Sequence, residues 1–192
     1  GRLMGMRVDI ATLFPEMCEA VLSESIVGRA RRAGYLKIRC HQIREYTEDK
    51  HRRVDDYAYG GGKGMVMQAD PIWRCVEHIR QTAGGQAPVI YLSPQGKTLT
   101  QEMCVELSKL PHLILLCGHY EGVDERVLEE LEVREISIGD FVLTGGELPA
   151  LCLIDAVARM CPGVLAADGC LEEETHFGGL LEYPQYTRPE VW

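Results

Sequence analysis

His112-Leu113-Ile114-Leu115-Leu116-Cys117 runs without a break into Gly118-His119-Tyr120-Glu121-Gly122. A short, near-continuous apolar run of this kind reads as a strand buried on both faces, as in a parallel sheet. Working outward, residues 88–92 form a second short apolar strand and 100–110 a helix. On the other side, 123–131 is a short acidic helix, 133–138 a strand, and 148–160 an apolar helix ended by Pro162-Gly163. Nearer the N-terminus, residues 6–13 alternate as a first strand. Phe14-Pro15-Glu16 then opens one helix that carries Met17, Val21, Ile26 and Val27 and ends near Gly34, with proline tolerated in its first turn. Residues 35–43 are a further strand, and 44–64 lack periodicity and read as a long loop. Asp70-Pro71 is an N-cap followed by a first-turn proline, launching a helix to about Thr82. Strands alternating with helices predict an α/β domain, a mostly parallel sheet with helices on both faces.

One domain over 6–163 accounts for most of the 192 residues. Residues 1–5 read as an extraneous leader ahead of a natural start at Met6. Residues 164–192, rich in Glu, Gly and Pro, read as an extended segment or linker. No apolar stretch approaches the roughly 20 residues needed to cross a bilayer. No secretory signal is present, so a cytoplasmic protein is expected. The eight cysteines are scattered without a CxxC pair or zinc-finger spacing. Buried free thiols in a reducing compartment are expected, and no metal site is assigned to them.

The net charge of −9 argues against nucleic acid until its distribution is read. Between residues 29 and 53, nine basic side chains face three acidic ones, a local +6 against −15 for the remainder. Such a segment attracts phosphates whatever the total.

Three strands run into turns rich in glycine or proline: Ser93-Pro94-Gln95-Gly96, residues 118–122, and Gly139-Asp140-Phe141-Val142-Leu143-Thr144-Gly145-Gly146. Ligands of open parallel sheets bind outside the carboxyl ends of the strands, and glycine lets backbone approach them. Gly96-Lys97-Thr98 is not a P-loop, because Tyr91 stands where the first glycine is required; Gly62-Lys63-Gly64 lacks the following Ser or Thr. No GxGxxG opens a βαβ unit and no serine sits in a nucleophile elbow. A ligand held by backbone rather than in a phosphate nest is implied, and adenosine with a short amino-acid tail suits.

The segments Tyr91-Leu92-Ser93-Pro94-Gln95-Gly96, residues 117–126 and residues 137–150 resemble the cofactor loops of bacterial tRNA (guanine-N1)-methyltransferases, the TrmD family of the SPOUT superfamily. So do Val54-Asp55-Asp56, Tyr59-Gly60-Gly61-Gly62-Lys63-Gly64-Met65 and Tyr183-Pro184-Gln185-Tyr186-Thr187-Arg188-Pro189, and the similarity runs from about Met6 to Val191. The resemblance implies a deep C-terminal trefoil knot and a homodimer with its active site at the subunit interface. It implies methyl transfer from S-adenosylmethionine to N1 of the guanosine immediately 3′ of the tRNA anticodon, when another guanosine precedes it. A magnesium ion is associated with the family. A SPOUT enzyme for another RNA nucleoside, and a catalytically weak cofactor- and RNA-binding homologue, are the alternatives.

Carried over residue by residue, the resemblance assigns the cofactor to Tyr91, Leu92, Ser93, Pro94, Gln95, Gly118, Tyr120, Glu121, Gly122, Ser137, Ile138, Gly139, Phe141, Leu143, Gly145, Gly146 and Pro149. Guanine N1 carries a proton at neutral pH, so the reaction needs a base and a group to stabilise charge moving onto O6. Arg159 is implied for the second role. For the first, Gly178 stands where the resemblance leads one to expect an aspartate, leaving Glu174, His176 and Glu182 as candidates. Arg52, Arg53, Asp55, Asp56, Tyr59 and Gly62 are the RNA-binding candidates: cations for phosphates, tyrosine for stacking, carboxylates for guanine donors. The small helical domain that follows residues 187–189 in the family is absent from this sequence.

Overall fold

A computed structural model describes residues 5–62, 64–83, 85–166 and 183–192. In chain order the elements are β1 (Met6–Thr12), α1 (Pro15–Leu22), α2 (Ser25–Ala33), β2 (Leu36–Gln42), a 3₁₀ turn (Ile43–Tyr46), β3 (Asp55–Tyr57) and β4 (Met65–Met67). They continue with α3 (Ala69–Ala83), β5 (Val89–Thr98), α4 (Gln101–Ser108), β6 (His112–Leu116), α5 (Glu125–Glu130), β7 (Arg134–Ser137) and α6 (Glu147–Ala158). Five strands form one sheet in the order β2-β1-β6-β5-β7, every neighbouring pair parallel. β6 lies at its centre, with Leu113, Ile114, Leu115 and Leu116 fully buried. The sheet is therefore parallel and helix-covered on both sides, as the alternation implied. One face packs Cys18 and Leu22 of α1, Ala30 of α2, Leu107 of α4 and Leu153 of α6. The other packs Ile72 and Ile79 of α3 with Val127 and Leu128 of α5.

Several boundaries differ from expectation for local reasons. The single helix read over 14–34 is two, because the backbone leaves helical geometry at Glu24, which is extended (φ −111°, ψ 161°) ahead of α2. Gly28 of α2 then packs directly on the Ser23 carbonyl, where a Cβ would collide. Asp70 lies inside α3 rather than capping it, and bonds Arg74 one turn on at 2.7 Å. Thr100 does cap α4, accepting from the Met103 N–H. The stretch read as a loop over 44–64 holds a 3₁₀ turn and β3, which pairs antiparallel with β4. Asp-Asp-Tyr carries no apolar alternation, so only the backbone ladder makes it a strand.

β5 also outruns its expected end. Leu92 and Lys97 both stand opposite Ile136 of β7, so 93–96 bulges out of a strand that then resumes. A bulge of this kind re-aims side chains without ending the pairing.

The cysteines are free thiols, and Cys18, Cys75, Cys104, Cys117 and Cys161 are buried. Cys152 departs from the expectation: it is exposed on the outer side of α6. Cys170 lies outside the described residues. One buried charge stands out in β1. Asp9 has no solvent exposure and bonds His41 at 2.6 Å, His112 at 2.6 Å and the Arg7 guanidinium at 2.7 Å. Burial opposes its charge, but these hydrogen bonds from His41, Arg7 and His112 hold the carboxyl well below the usual carboxylate range.

Candidate active site

The parallel order of β5, β6 and β7 brings their three following turns to one end of the sheet, where they enclose a cavity of about 350 Å³. All the residues assigned above to the cofactor, from Tyr91 to Pro149, line this one cavity. His119, Glu125, Glu135, Val142 and Thr144 line it too, and the sequence reading did not single them out.

Backbone contacts knit the turns together. The Gly146 N–H donates to Gly118 O at 3.0 Å, and His119 and Gly145 form an isolated antiparallel bridge. A Cβ on Gly145 would strike the His119 imidazole and the Glu147 carboxylate, and one on Gly146 would stand 2.9 Å from Cys117 Cα. Glycine is therefore required here for close approach rather than for a left-handed turn. Ser137 Oγ fixes the next bend, accepting from the Gly139 N–H at 3.1 Å and donating to Gly139 O at 2.8 Å.

The lining has a definite charge character. It includes Glu121, Glu125 and Glu135 and, among the described residues, no lysine or arginine. A phosphate would meet carboxylates and no cation, whereas a cationic ligand meets matching charge. Burial pushes the Tyr91 phenol above its usual value, so it stays protonated and can donate. Apolar Leu92, Ile136, Ile138, Phe141 and Leu143 supply surface for a flat ring. A neutral base with a positively charged tail fits this lining.

Beneath the cavity lies a polar junction. Glu147, in the first turn of α6, is 2% exposed. Its Oε2 accepts from Thr12 Oγ1 at 2.7 Å, and its Oε1 is hydrogen-bonded to His119 Nε2 at 2.9 Å. The sequence carried no signal for this pairing beyond the two residues' places beside glycine-rich turns.

The RNA candidates divide. Asp55 and Asp56 belong to β3, while Tyr59 and Gly62 lie exposed in the connection to β4. That two-stranded unit is bonded to the cavity rim: Glu121 N–H to Met65 O at 3.0 Å, Met67 N–H to Gly122 O at 2.9 Å, and Asp124 N–H to Met67 O at 3.0 Å. Arg52 and Arg53 are exposed just before β3. The basic segment is partly offset in space, since Arg53 pairs with Asp49 at 3.3 Å and Arg31 with Glu19 at 3.0 Å.

Arg159 is not brought to the cavity of its own chain. It caps the C-terminal end of α6, whereas Gly146 and Pro149 at the other end line the cavity. Twelve residues of helix separate those ends by about 18 Å. It shares a helix face with Leu148, Cys152 and Asp155, all three exposed. Glu174, His176, Gly178 and Glu182 lie outside the described residues. Among the described residues, no group of three His, Cys, Asp or Glu side chains could hold a metal ion, and no helix is long and apolar enough to cross a membrane.

Comparison with known proteins gives a consistent result. The family model for tRNA (Guanine-1)-methyltransferase TrmD matches residues 6–192. A tRNA (guanine-N(1)-)-methyltransferase of Ruminiclostridium cellulolyticum is 57% identical over 184 residues, 96% of this chain and 79% of the relative. Its counterpart in Alkaliphilus oremlandii is 55% identical over 192 residues, 97% of this chain and 77% of the relative. The crystal structure of tRNA (m1G37) methyltransferase from Aquifex aeolicus superposes with a TM-score of 0.82 at 36% identity, covering 98% of this chain and 78% of that one.

Proposed function

Because the chain belongs to the tRNA (guanine-1)-methyltransferase family, we propose that it methylates N1 of the guanosine at position 37 of tRNA, immediately 3′ of the anticodon, when a guanosine precedes it. The observation that carries this reading is the cavity itself: three turns at the carboxyl ends of adjacent parallel strands, lined by backbone, apolar surface and carboxylates without a cation. S-adenosylmethionine, when bound, supplies an electrophilic methyl group on a sulfonium. Adenine would lie against Leu92, Ile138 and Leu143 with Gly118 and Tyr120 beside it, and the carboxylates would face the cationic end. Glu121, at the meeting of the cavity with the β3–β4 unit, is placed to accept from a guanine donor or an amine. Asp55 and Asp56 would read guanine donors, while Arg52, Arg53 and Tyr59 would hold phosphate and base.

The acceptor N1 must lose a proton and its O6 must be stabilised. We assign the second task to Arg159, acting on a partner's cavity. Phe14, Met17 and Val21 around α1 are 44, 42 and 53% exposed, and Leu148 on α6 is 49% exposed. An apolar patch of this extent marks a contact surface, and a two-fold dimer would cover it with the same patch of a second copy. If α6 packs antiparallel on its counterpart, the 18 Å that separates Arg159 from its own cavity carries it toward the other. The proton acceptor is assigned to the segment before Gly179, with Glu174, His176 and Glu182 as candidates. Magnesium is given no step, since the described residues offer it no donor set. The family reading also carries the trefoil knot, a domain over 6–163 followed by an active-site linker over 164–192, and a cytoplasmic location.

The test is incubation with methyl-labelled donor and unmodified tRNA transcripts, with and without the paired guanosines, followed by mapping of the label. Methylation of N1 only in the paired transcript is expected. Label at another nucleoside, or none in any tRNA, would overturn the reading.

A further inference from the structure

Thr12, His119 and Glu147 are used by none of the steps above, yet they join three elements under the cavity: the end of β1, the turn after β6 and the first turn of α6. Both oxygens of the buried Glu147 carboxylate are partnered, by Thr12 Oγ1 at 2.7 Å and by His119 Nε2 at 2.9 Å. Burying a carboxylate is expensive even when satisfied. Sheet closure does not require this one, because the strands pair through their own backbones. Thr12 is held in turn by the Phe14 N–H, which donates to its hydroxyl at 2.9 Å.

The His119 ring lies between two aromatic rings, Phe14 at 4.8 Å and Tyr120 at 6.0 Å. Its backbone bridges Gly145, and its neighbour Gly118 accepts from Gly146. Tyr120 follows at φ 59°, in the left-handed region that side chains seldom adopt. It projects, half-exposed, along the cavity wall. A strained residue persists only where its surroundings over-determine it, and the residue before it is held by the imidazole–carboxylate bond together with the Phe14 ring and the Met67 sulfur, which accepts from the His119 N–H at 3.2 Å.

We infer that His119 is a positioning residue for the methyl donor: through Glu147 and Thr12 it clamps the 118–122 turn onto the 145–147 turn and holds Tyr120 in its receiving conformation. The inference rests on the reading of the cavity as the donor site. The clamp needs an N–H aimed at Glu147 from the position of Nε2. The amide of a glutamine reaches the same place, whereas alanine leaves Glu147 short of a partner.

The test compares wild type with His119→Ala, His119→Gln and Thr12→Val. It measures calorimetric binding of S-adenosylhomocysteine, and kcat and KM for S-adenosylmethionine and for tRNA separately. The expected result for His119→Ala is a weakening of donor binding and a rise in donor KM of about tenfold or more, with tRNA KM and kcat at saturating donor little changed. His119→Gln should recover most of the loss, and Thr12→Val should show a smaller effect of the same kind. Unaltered donor KM in a folded His119→Ala variant overturns the clamp. So does an equal rise in both KM values with a lowered melting temperature and no rescue by glutamine, which is the mark of a merely structural residue. If His119→Ala does not fold, an unchanged donor KM in Thr12→Val overturns it instead. Wild-type protein that binds no donor refutes the cavity reading itself, which separates the two failures.

Discussion

Asp9 shows what a single side chain contributes to this fold. It sits on a central strand without solvent contact, among Arg7, His41 and His112. Since its folded-state pKa is depressed, the stability it contributes is fully present above the ordinary carboxylate range and is lost as pH falls from about 4 toward the folded value. Asp9→Asn is expected to cost about 3 kcal/mol at pH 7, because it leaves a largely buried guanidinium without its counter-charge. Urea unfolding at pH 7 and again at about pH 3 checks this; the gap between variant and wild type should narrow at the lower pH. The residue was invisible to sequence reading. A polar position in an alternating strand reads as solvent-facing, and its histidine partners lie 32 and 103 residues away. His119 and Glu147, 28 apart, were missed for the same reason. The turn glycines were legible because their meaning is local: a strand end, a bend and room for a ligand.

Among the elements, the turn leading into α6 is the most constrained. Gly146 is pressed against the backbone of Cys117 and Gly118, which cannot yield as a flexible side chain would. Gly146→Ala is expected to lower stability by about 1–3 kcal/mol and to weaken donor binding severely, read from a thermal melt and from calorimetry with S-adenosylhomocysteine. The strands of the five-stranded sheet and the helices packed on it were recovered from periodicity, whereas β4 was not read although its Met67 is fully buried. The other failures came where a structure depends on something other than burial. Glu24 breaks a helix by turning extended, β3 is held by its ladder alone, and β5 continues past a bulge whose residues look like a turn. The expected handover from loop to helix at Asp70-Pro71 fell two residues late, since α3 begins at Ala69 and the Asp70 side chain bonds Arg74 rather than capping the helix.

At the scale of the whole molecule, the distribution of charge and the proposed dimer each make a testable demand. A chain of net −9 would need a local basic patch to hold RNA. Arg52→Ala with Arg53→Ala should weaken tRNA binding and reduce the slope of log K against log salt by about 1, with Arg53 already offset by Asp49. Filter binding over a salt series gives the slope, and an unaltered slope excludes the pair. The placement of Arg159 makes a stronger demand. Arg159→Ala and Gly146→Ala chains should each be nearly inactive alone. Mixed and allowed to exchange, they should regain about a quarter of wild-type activity, since half the dimers would be mixed and each would hold one intact site. No recovery would place Arg159 elsewhere. The resemblance implied a shared site and a role for Arg159, but no periodicity reports which chain a side chain serves, so the assignment across subunits is a proposal that this exchange decides.

The place of β1 in the sheet has a consequence for the protein's birth. It pairs on one side with β2, which follows closely, but on the other with β6, whose His112 meets Arg7. On the ribosome, at roughly 5–20 residues per second, about a hundred residues must be synthesised before that edge can be covered. For some 5–20 s the nascent chain therefore displays an open, parallel-pairing edge next to the apolar Val8 and Ile10. Trigger-factor-like chaperones that shield emerging apolar segments should matter more for its yield than for a meander of the same length, whose strands close as they appear.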